Sequence, residues 1–137
     1  MRTRKAVKAG MAAFAVVFAT GFVLGTIRVL AVAPYLGSLT AVAIEVPLML
    51  IASWAVTSWA IERWGVDRRL SARIEMVTIA FVLLIAFEAM FGIAAFGQSS
   101  RQWLSSFFTP AGAVGLIAQL AFGFMPVMRM TFPHKTP

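Results

Sequence analysis

Residues 74–96 read IEMVTIAFVLLIAFEAMFGIAAF, an apolar run that holds two glutamates and no basic residue. A helix needs about 20 mostly apolar residues to cross the hydrocarbon core of a bilayer, and this run is long enough to do so. Arg73 stands immediately before the run and Gly97 immediately after it. We therefore predict a transmembrane helix over residues 74–96.

Three other runs have the same character, over residues 9–33, 38–61 and 110–128. Hydrophobic residues make up 61% of the 137 residues and charged residues 12%, whereas roughly 25% of a soluble domain is charged. A soluble chain of this size cannot bury so many apolar side chains. The sequence therefore predicts one all-α membrane domain over residues 1–137, a four-helix bundle with antiparallel neighbours and a short tail over residues 129–137.

Residues that begin and end helices agree with these four spans. Residues 34–37 are typical of a tight turn, and Ser38 is placed to cap the second helix. Thr109 followed by Pro110 predicts a capped helix with proline at its first position. Residues 97–100, Gly-Gln-Ser-Ser, are typical of a loop that ends the third helix.

The basic residues are unevenly distributed along the chain. A four-span chain places its N-terminus, its second loop and its tail on one side of the membrane, and these segments hold ten of the twelve basic residues: Arg2, Arg4, Lys5, Lys8, Arg63, Arg68, Arg69, Arg73, Arg129 and Lys135. The opposite side holds only Arg101. Because basic segments are retained in the cytoplasm, we predict that both termini are cytoplasmic. We also expect anionic lipid headgroups to contact the arginines of the second loop, Arg63, Arg68, Arg69 and Arg73.

Residue counts exclude several kinds of site. The chain has no cysteine, and its only histidine is His134, near the C-terminus. Thiolate nucleophiles, cysteine zinc sites and bis-histidine haem sites are therefore excluded. The sequence also has no GxxxxGK[ST] phosphate-binding motif and no HExxH motif. We expect no enzymatic activity, no cofactor, no metal and no nucleic-acid partner.

Each predicted span contains one strongly polar residue well inside its apolar run. These residues are Arg28, Glu45, Glu88 and Gln119. At a rise of 1.5 Å per residue, all four lie about 9–14 Å from the helix end nearest the outer surface. Ionisable groups are costly inside a membrane and often mark functional sites. Four such residues at a similar depth therefore predict a buried polar layer, a candidate site for a ligand, an ion or a proton.

Glycines accompany the polar layer in the first and fourth spans. Gly21 and Gly25 share a helix face with the arginine of the first span. Gly115 and Gly123 are each four residues from the glutamine of the fourth span. Small residues at this spacing allow membrane helices to pack closely, so we predict that these four glycines lie at helix–helix contacts.

The charges in the polar layer are unequal, because one arginine faces two glutamates. Arg28 can pair with one carboxylate, most simply Glu45 across the first hairpin. Glu88 must then be protonated, share Arg28 or bind a cation, as a proton relay or a carrier requires. The same groups could instead lock the helices in register. Two functions therefore stay open: a structural, accessory or regulatory subunit that self-assembles or joins a larger membrane complex, and a minimal transporter or channel for a proton, an ion or a small solute.

Short motifs in all four spans resemble those of a group of small, uncharacterised four-span bacterial inner-membrane proteins. The resemblance covers nearly the whole chain, and its motifs are Gly21-x-x-x-Gly25-x-x-Arg28, Glu45-x-Pro47-x-Met49-Leu50, Glu88 and Pro110-Ala111-Gly112. The resemblance implies a bacterial origin, a place in the inner membrane and a four-helix fold. It implies no activity.

Overall fold

A computed structural model describes residues 2–131, and all regular structure in that range is helical. The elements are α1 (Arg2–Ile27), the π-helix π1 (Arg28–Val32), α2 (Ala33–Leu36), α3 (Ser38–Trp64), α4 (Leu70–Met90), the π-helix π2 (Phe91–Ala95), α5 (Ser100–Ser106) and α6 (Pro110–Thr131). The predicted tail beyond residue 131, with His134 and Lys135, lies outside the described residues.

Four continuous helical segments are long and apolar enough to cross a membrane: Thr3–Leu36, Ser38–Trp64, Leu70–Ala95 and Pro110–Thr131. The prediction of an all-α chain with four candidate spans is therefore confirmed. No more than 22% of the most apolar window of any span is buried inside the chain, and many large apolar side chains are exposed, as they would be toward lipid. The first span begins earlier than predicted, because helical hydrogen bonding continues through the flanking basic residues, whose aliphatic stems can lie along the helix.

The turn between the first two spans is shorter than predicted. The helix continues through Pro34 to Leu36, and Gly37 alone separates it from α3. Gly37 has a φ of +82° and is the N-cap of α3. The prediction that Ser38 caps this helix is therefore wrong, and Ser38 is the first residue of α3. A residue with a β-carbon is strained at this φ, so the one-residue turn depends on glycine.

The connection between α4 and α6 contains α5 where the sequence predicts only a loop. Gly97, with a φ of +66°, lies at the predicted break. Ser99 then caps α5, because Gln102 N–H donates to Ser99 Oγ at 3.1 Å and Ser99 N–H donates to Gln102 Oε1 at 2.9 Å. This reciprocal capping has a sequence signature, Ser-x-x-Gln, which is the signal for α5. The predicted cap of α6 is confirmed, since Gly112 N–H donates to Thr109 Oγ1 at 3.1 Å.

The long helices pack so that α1 and α6 each contact both α3 and α4. Contacts between α1 and α4 advance along both helices in the same direction: Gly10 lies beside Met76, and the rings of Phe22 and Phe91 are 6.0 Å apart. These two helices, which belong to the first and third spans, are therefore parallel. The predicted antiparallel arrangement of consecutive spans stays a prediction. The short connection over residues 65–69 allows α4 to begin beside α1. The length of this connection alone does not reveal which helix α4 packs against.

Helices α1 and α4 pack closely at the end of the bundle that holds the beginning of α1, which we call the closed end. A β-carbon built on Gly10 would lie 2.8 Å from the backbone oxygen of Met76, so α1 and α4 approach each other through small residues. The buried apolar cluster at the closed end consists of Ala6, Ala9, Ala13, Ala60, Val66 and Met76.

Arg73 is buried at the closed end, with 3% of its surface exposed. Its guanidinium donates to the backbone oxygens of Asp67 at 3.1 Å and Val66 at 3.4 Å. Arg73 therefore secures the connection between α3 and α4, and the prediction that it contacts lipid headgroups is wrong. The other three arginines of this segment are exposed, and their contact with headgroups stays a prediction: Arg63, Arg68 and Arg69.

Candidate functional site

At the opposite end of the bundle, which holds α2 and α5, the helices diverge around a cavity of about 800 Å³. We call this the open end. The volume lies within the range of small-molecule pockets, about 300–1,000 Å³. All four residues of the predicted polar layer line the cavity, one from each candidate span: Arg28, Glu45, Glu88 and Gln119.

Arg28 and Glu45 form an ion pair on either side of the one-residue turn at Gly37. Arg28 Nε lies against Glu45 Oε2, and the two side chains are 31% and 17% exposed. The structure therefore contains the pairing that the sequence predicts for Arg28. The one positive charge of the polar layer is matched by Glu45.

Glu88 on α4 contacts Gln119 on α6. Gln119 Nε2 donates to Glu88 Oε1 at 2.5 Å. The amide oxygen of Gln119 is buried, and within residues 2–131 it has no hydrogen-bond partner. No lysine or arginine of that range forms an ion pair with Glu88. The polar layer therefore consists of a charged pair and of a carboxyl group whose neighbour is a neutral amide.

Both of the parallel helices carry a π-helix beside their polar residue. π1 begins at Arg28, and π2 begins at Phe91, three residues after Glu88. Phe96 N–H donates to the backbone oxygen of Phe91 at 3.2 Å, which is the i→i+5 bond of a π-helix. Such insertions shift the helix face that follows them and are frequent at functional sites. The sequence predicts ordinary helices here, because a π-helix has no residue signature of comparable strength to a cap.

The rest of the cavity wall is mainly apolar and rich in phenylalanine. The centroids of Phe18 and Phe91 are 5.6 Å apart, and Phe91 follows Glu88 by about one helical turn. A bound molecule would therefore contact aromatic surface next to a carboxylate. The phenylalanines that line the cavity are Phe18, Phe22, Phe91, Phe96, Phe107 and Phe122.

The glycines predicted to pack helices fall into two groups. β-carbons built on Gly21 and Gly123 would lie 3.4 Å and 3.5 Å from side chains of the neighbouring helices α3 and α4. Gly25 and Gly115 instead line the cavity, and no atom of a neighbouring helix lies within 4 Å of their β-carbon positions. The packing prediction is wrong for Gly25 and Gly115, because the helices have separated at the level where these residues lie.

Two further polar residues extend from the cavity toward the closed end along α3. Ser53 and Thr57 follow Glu45 toward the closed end, and because they are four residues apart they share one helix face. Ser53 lines the cavity, and Thr57 is fully buried. Within the described range, Thr57 Oγ1 has no hydrogen-bond partner. The predicted polar layer omits both residues, although their spacing of four residues is a signal for a shared face.

Within residues 2–131 no three His, Cys, Asp or Glu side chains are grouped so that they could hold a metal ion. The arrangement is suited to accepting a proton or a cationic group at Glu88. The chain matches no family model, no curated protein and no solved structure. Function is therefore proposed from the cavity and its residues.

Proposed function

We propose that the protein is a multi-pass protein of the bacterial inner membrane that carries a small solute, an ion or a proton through the cavity at its open end. The observation that supports this is the position of Glu88, which faces the cavity beside a neutral amide and without a basic partner in the described range. Such a carboxyl group can accept a proton or a cation without first breaking an ion pair. Intramembrane carboxylates commonly belong to proton or ion pathways.

We further propose that both termini are cytoplasmic and that the open end is directed toward the outer surface. The proposal is supported by the ten basic residues in the N-terminal segment, the second loop and the tail, against Arg101 alone in the third loop. In this orientation α1 and α3 form one antiparallel hairpin, and α4 and α6 form another. The cavity then lies in the outer half of the membrane.

A second candidate function is that of an accessory or regulatory subunit in which the polar layer only fixes helix register. It is supported by the ion pair of Arg28 with Glu45 and by the hydrogen bond of Gln119 with Glu88. These contacts partner both carboxylates inside the chain, as a structural lock requires. In that case the outward apolar helix faces would contact a second copy or a larger membrane complex.

The lack of cysteine allows a direct test of whether the cavity is accessible to water. Gly115 lines the cavity with open space around its β-carbon position, whereas Ile117, on the same helix, is 67% exposed on the outside of the bundle. We expect a water-soluble thiol reagent to label Gly115→Cys in membrane vesicles. The matched control Ile117→Cys should stay unlabelled, because its side chain faces lipid.

Vesicles of both orientations distinguish the two candidate functions. A carrier or channel should allow Gly115→Cys to be labelled from each side of the membrane. If the solute is a proton, the potential-driven proton flux into liposomes should disappear in Glu88→Gln. Glu75→Gln is the control for flux, because Glu75 lies on α4 but does not line the cavity. If one or both sides of the membrane give no labelling of Gly115→Cys, the transport proposal is contradicted and the accessory subunit is favoured.

A further inference from the structure

The charge of the cavity depends on three ionisable side chains. Arg28 and Glu45 neutralise each other as an ion pair. Glu88 accepts a hydrogen bond from the neutral amide of Gln119 and has no basic partner within residues 2–131. An ionised Glu88 therefore leaves the cavity with one negative charge. A ligand with one positive charge would match it, because a charge removed from water requires a partner.

The wall around Glu88 favours an organic cation over a metal ion. Phe91 lies one turn from Glu88, and its ring centroid is 5.6 Å from that of Phe18 and 6.0 Å from that of Phe22. Aromatic ring faces attract a cation that lies within about 6 Å of their centroid. Calcium and magnesium instead require about six or more oxygen ligands, and the described residues hold no cluster of three metal-ligating side chains.

The size of the cavity also favours an organic cation over a metal ion. A cavity of about 800 Å³ is in the upper part of the range that drug-sized ligands occupy, about 300–1,000 Å³. A small hydrated ion would leave most of the aromatic wall without contact. A bulky ligand with an apolar surface would instead cover several rings while its charge faced the carboxylate.

We infer that the cavity binds a hydrophobic organic cation of drug size, with Glu88 as its counter-ion and the phenylalanine rings around Glu88 as its walls. The inference rests on the proposed function, since it assigns a substrate class to the same cavity. Arg28 does not bind the ligand in this arrangement, because its charge is neutralised by the ion pair with Glu45.

Tetraphenylphosphonium and tetraphenylborate test the inference on the unmodified full-length protein. The two ions are closely similar in size and shape and opposite in charge. We expect isothermal titration calorimetry in detergent to give saturable binding of tetraphenylphosphonium and at least about tenfold weaker binding of tetraphenylborate. Equal binding of the two ions would overturn the inference, because the cavity would then select only for apolar surface.

Variants locate the bound ion without depending on the ion pair. Glu88→Gln should weaken tetraphenylphosphonium binding by about tenfold or more, and Phe91→Ala by about threefold to tenfold. Glu75→Gln carries the same change on α4 outside the cavity and should leave binding unchanged. Equal weakening by Glu75→Gln, or unaltered binding in a folded Glu88→Gln, would overturn the assignment.

Cysteine labelling separates a failure of this inference from a failure of the proposed function. If Gly115→Cys is labelled from both sides of the membrane but tetraphenylphosphonium does not bind, the transport proposal stands and the inference of a hydrophobic cation is wrong. If Gly115→Cys is not labelled and tetraphenylphosphonium does not bind, both proposals are wrong. Labelling from both sides together with charge-selective binding supports both.

Discussion

The closed end and the open end of this bundle are formed by the same four helices and differ in helix packing, in backbone geometry and in the space between the helices. At the closed end, α1 and α4 touch through alanine and glycine, so closely that Gly10 leaves no space for a β-carbon. At the open end, the same two helices each contain a π-helix and lie apart around a cavity of about 800 Å³. The parallel pair therefore meets through small residues at one end and through phenylalanine rings beside the cavity at the other.

Charge follows the same division. At the closed end, the buried arginine is Arg73, and its guanidinium is bound by backbone oxygens of the adjoining connection. At the open end, Arg28, Glu45 and Glu88 are bound by side chains from other helices. Backbone partners cannot be exchanged for a ligand without unfolding the connection, whereas side-chain partners can. The closed end also has a side-chain pair, Arg129 with Glu62 at 3.7 Å, so the open end differs in that its charged side chains line a cavity with space for a ligand.

The largest expected effect comes from removing the arginine of the open end. Arg28→Leu leaves the Glu45 carboxylate without its partner, and breaking a buried ion pair in this way costs about 3–5 kcal/mol. We expect about 3 kcal/mol, because the Arg28 side chain is 31% exposed. The loss in free energy of unfolding can be measured by titrating the detergent-solubilised protein with sodium dodecyl sulfate and following its helical circular dichroism.

The double variant Arg28→Leu with Glu45→Leu is the control for this prediction. It removes both charges, so most of the lost stability should return, as it does when buried ion pairs are replaced by apolar residues. A double variant as unstable as the single one would show that the two side chains matter through packing and not through their charges. The division between the two ends would then not be electrostatic.

The residues of the open end could be predicted from the sequence because they contrast with their surroundings. A single arginine, glutamate or glutamine in an apolar run is conspicuous, and the rise per residue of a helix is enough to show that Arg28, Glu45, Glu88 and Gln119 lie at a similar depth. The pairing of Arg28 with Glu45 followed from charge and from the short hairpin. The cavity itself could not be predicted, since it depends on where the helices diverge.

The closed end was harder to predict for the opposite reason. Ala6, Ala9, Gly10 and Ala13 are ordinary residues of an apolar helix, and nothing in their pattern reveals that α4 is the helix they contact. Whether α4 packs beside α1 depends on which way the short connection at residues 65–69 turns. The burial of Arg73 depends on backbone oxygens of that connection, which have no residue signature.

An intermediate effect is expected from adding one methyl group to a glycine at each end. In Gly10→Ala the new carbon would meet the Met76 backbone oxygen at 2.8 Å and Ile79 Cβ at 3.1 Å, so the variant should lose about 1–3 kcal/mol by overpacking. In Gly115→Ala the new carbon meets nothing within 4 Å. This variant should gain about 0.5–1 kcal/mol, because alanine is the better helix former. Measuring the free energy of unfolding of both variants in the same detergent gives the sign of each change in stability.

The opposite signs are the essential part of this prediction. If Gly10→Ala and Gly115→Ala lose stability alike, the cavity at the open end is closed in the detergent-solubilised protein and the contrast between the ends is wrong. If both gain stability, the approach of α1 to α4 at Gly10 is looser than the 2.8 Å spacing implies.

The smallest expected effect lies between the two ends, at Thr57. Its side chain is fully buried, and within residues 2–131 its hydroxyl oxygen has no hydrogen-bond partner. Thr57→Val replaces the hydroxyl by a methyl group of similar size, so stability should stay the same or rise by up to about 1 kcal/mol. Thr57→Ser keeps the hydroxyl and removes a methyl group, and it should lose about 0.8 kcal/mol of stability.

Destabilisation by Thr57→Val would contradict the prediction for Thr57, because it would mean that the hydroxyl is hydrogen-bonded in the folded protein. The polar side chains of α3 would then continue from Glu45 past the cavity to Thr57. The apolar packing of the closed end would begin one or more helical turns nearer to the beginning of α1.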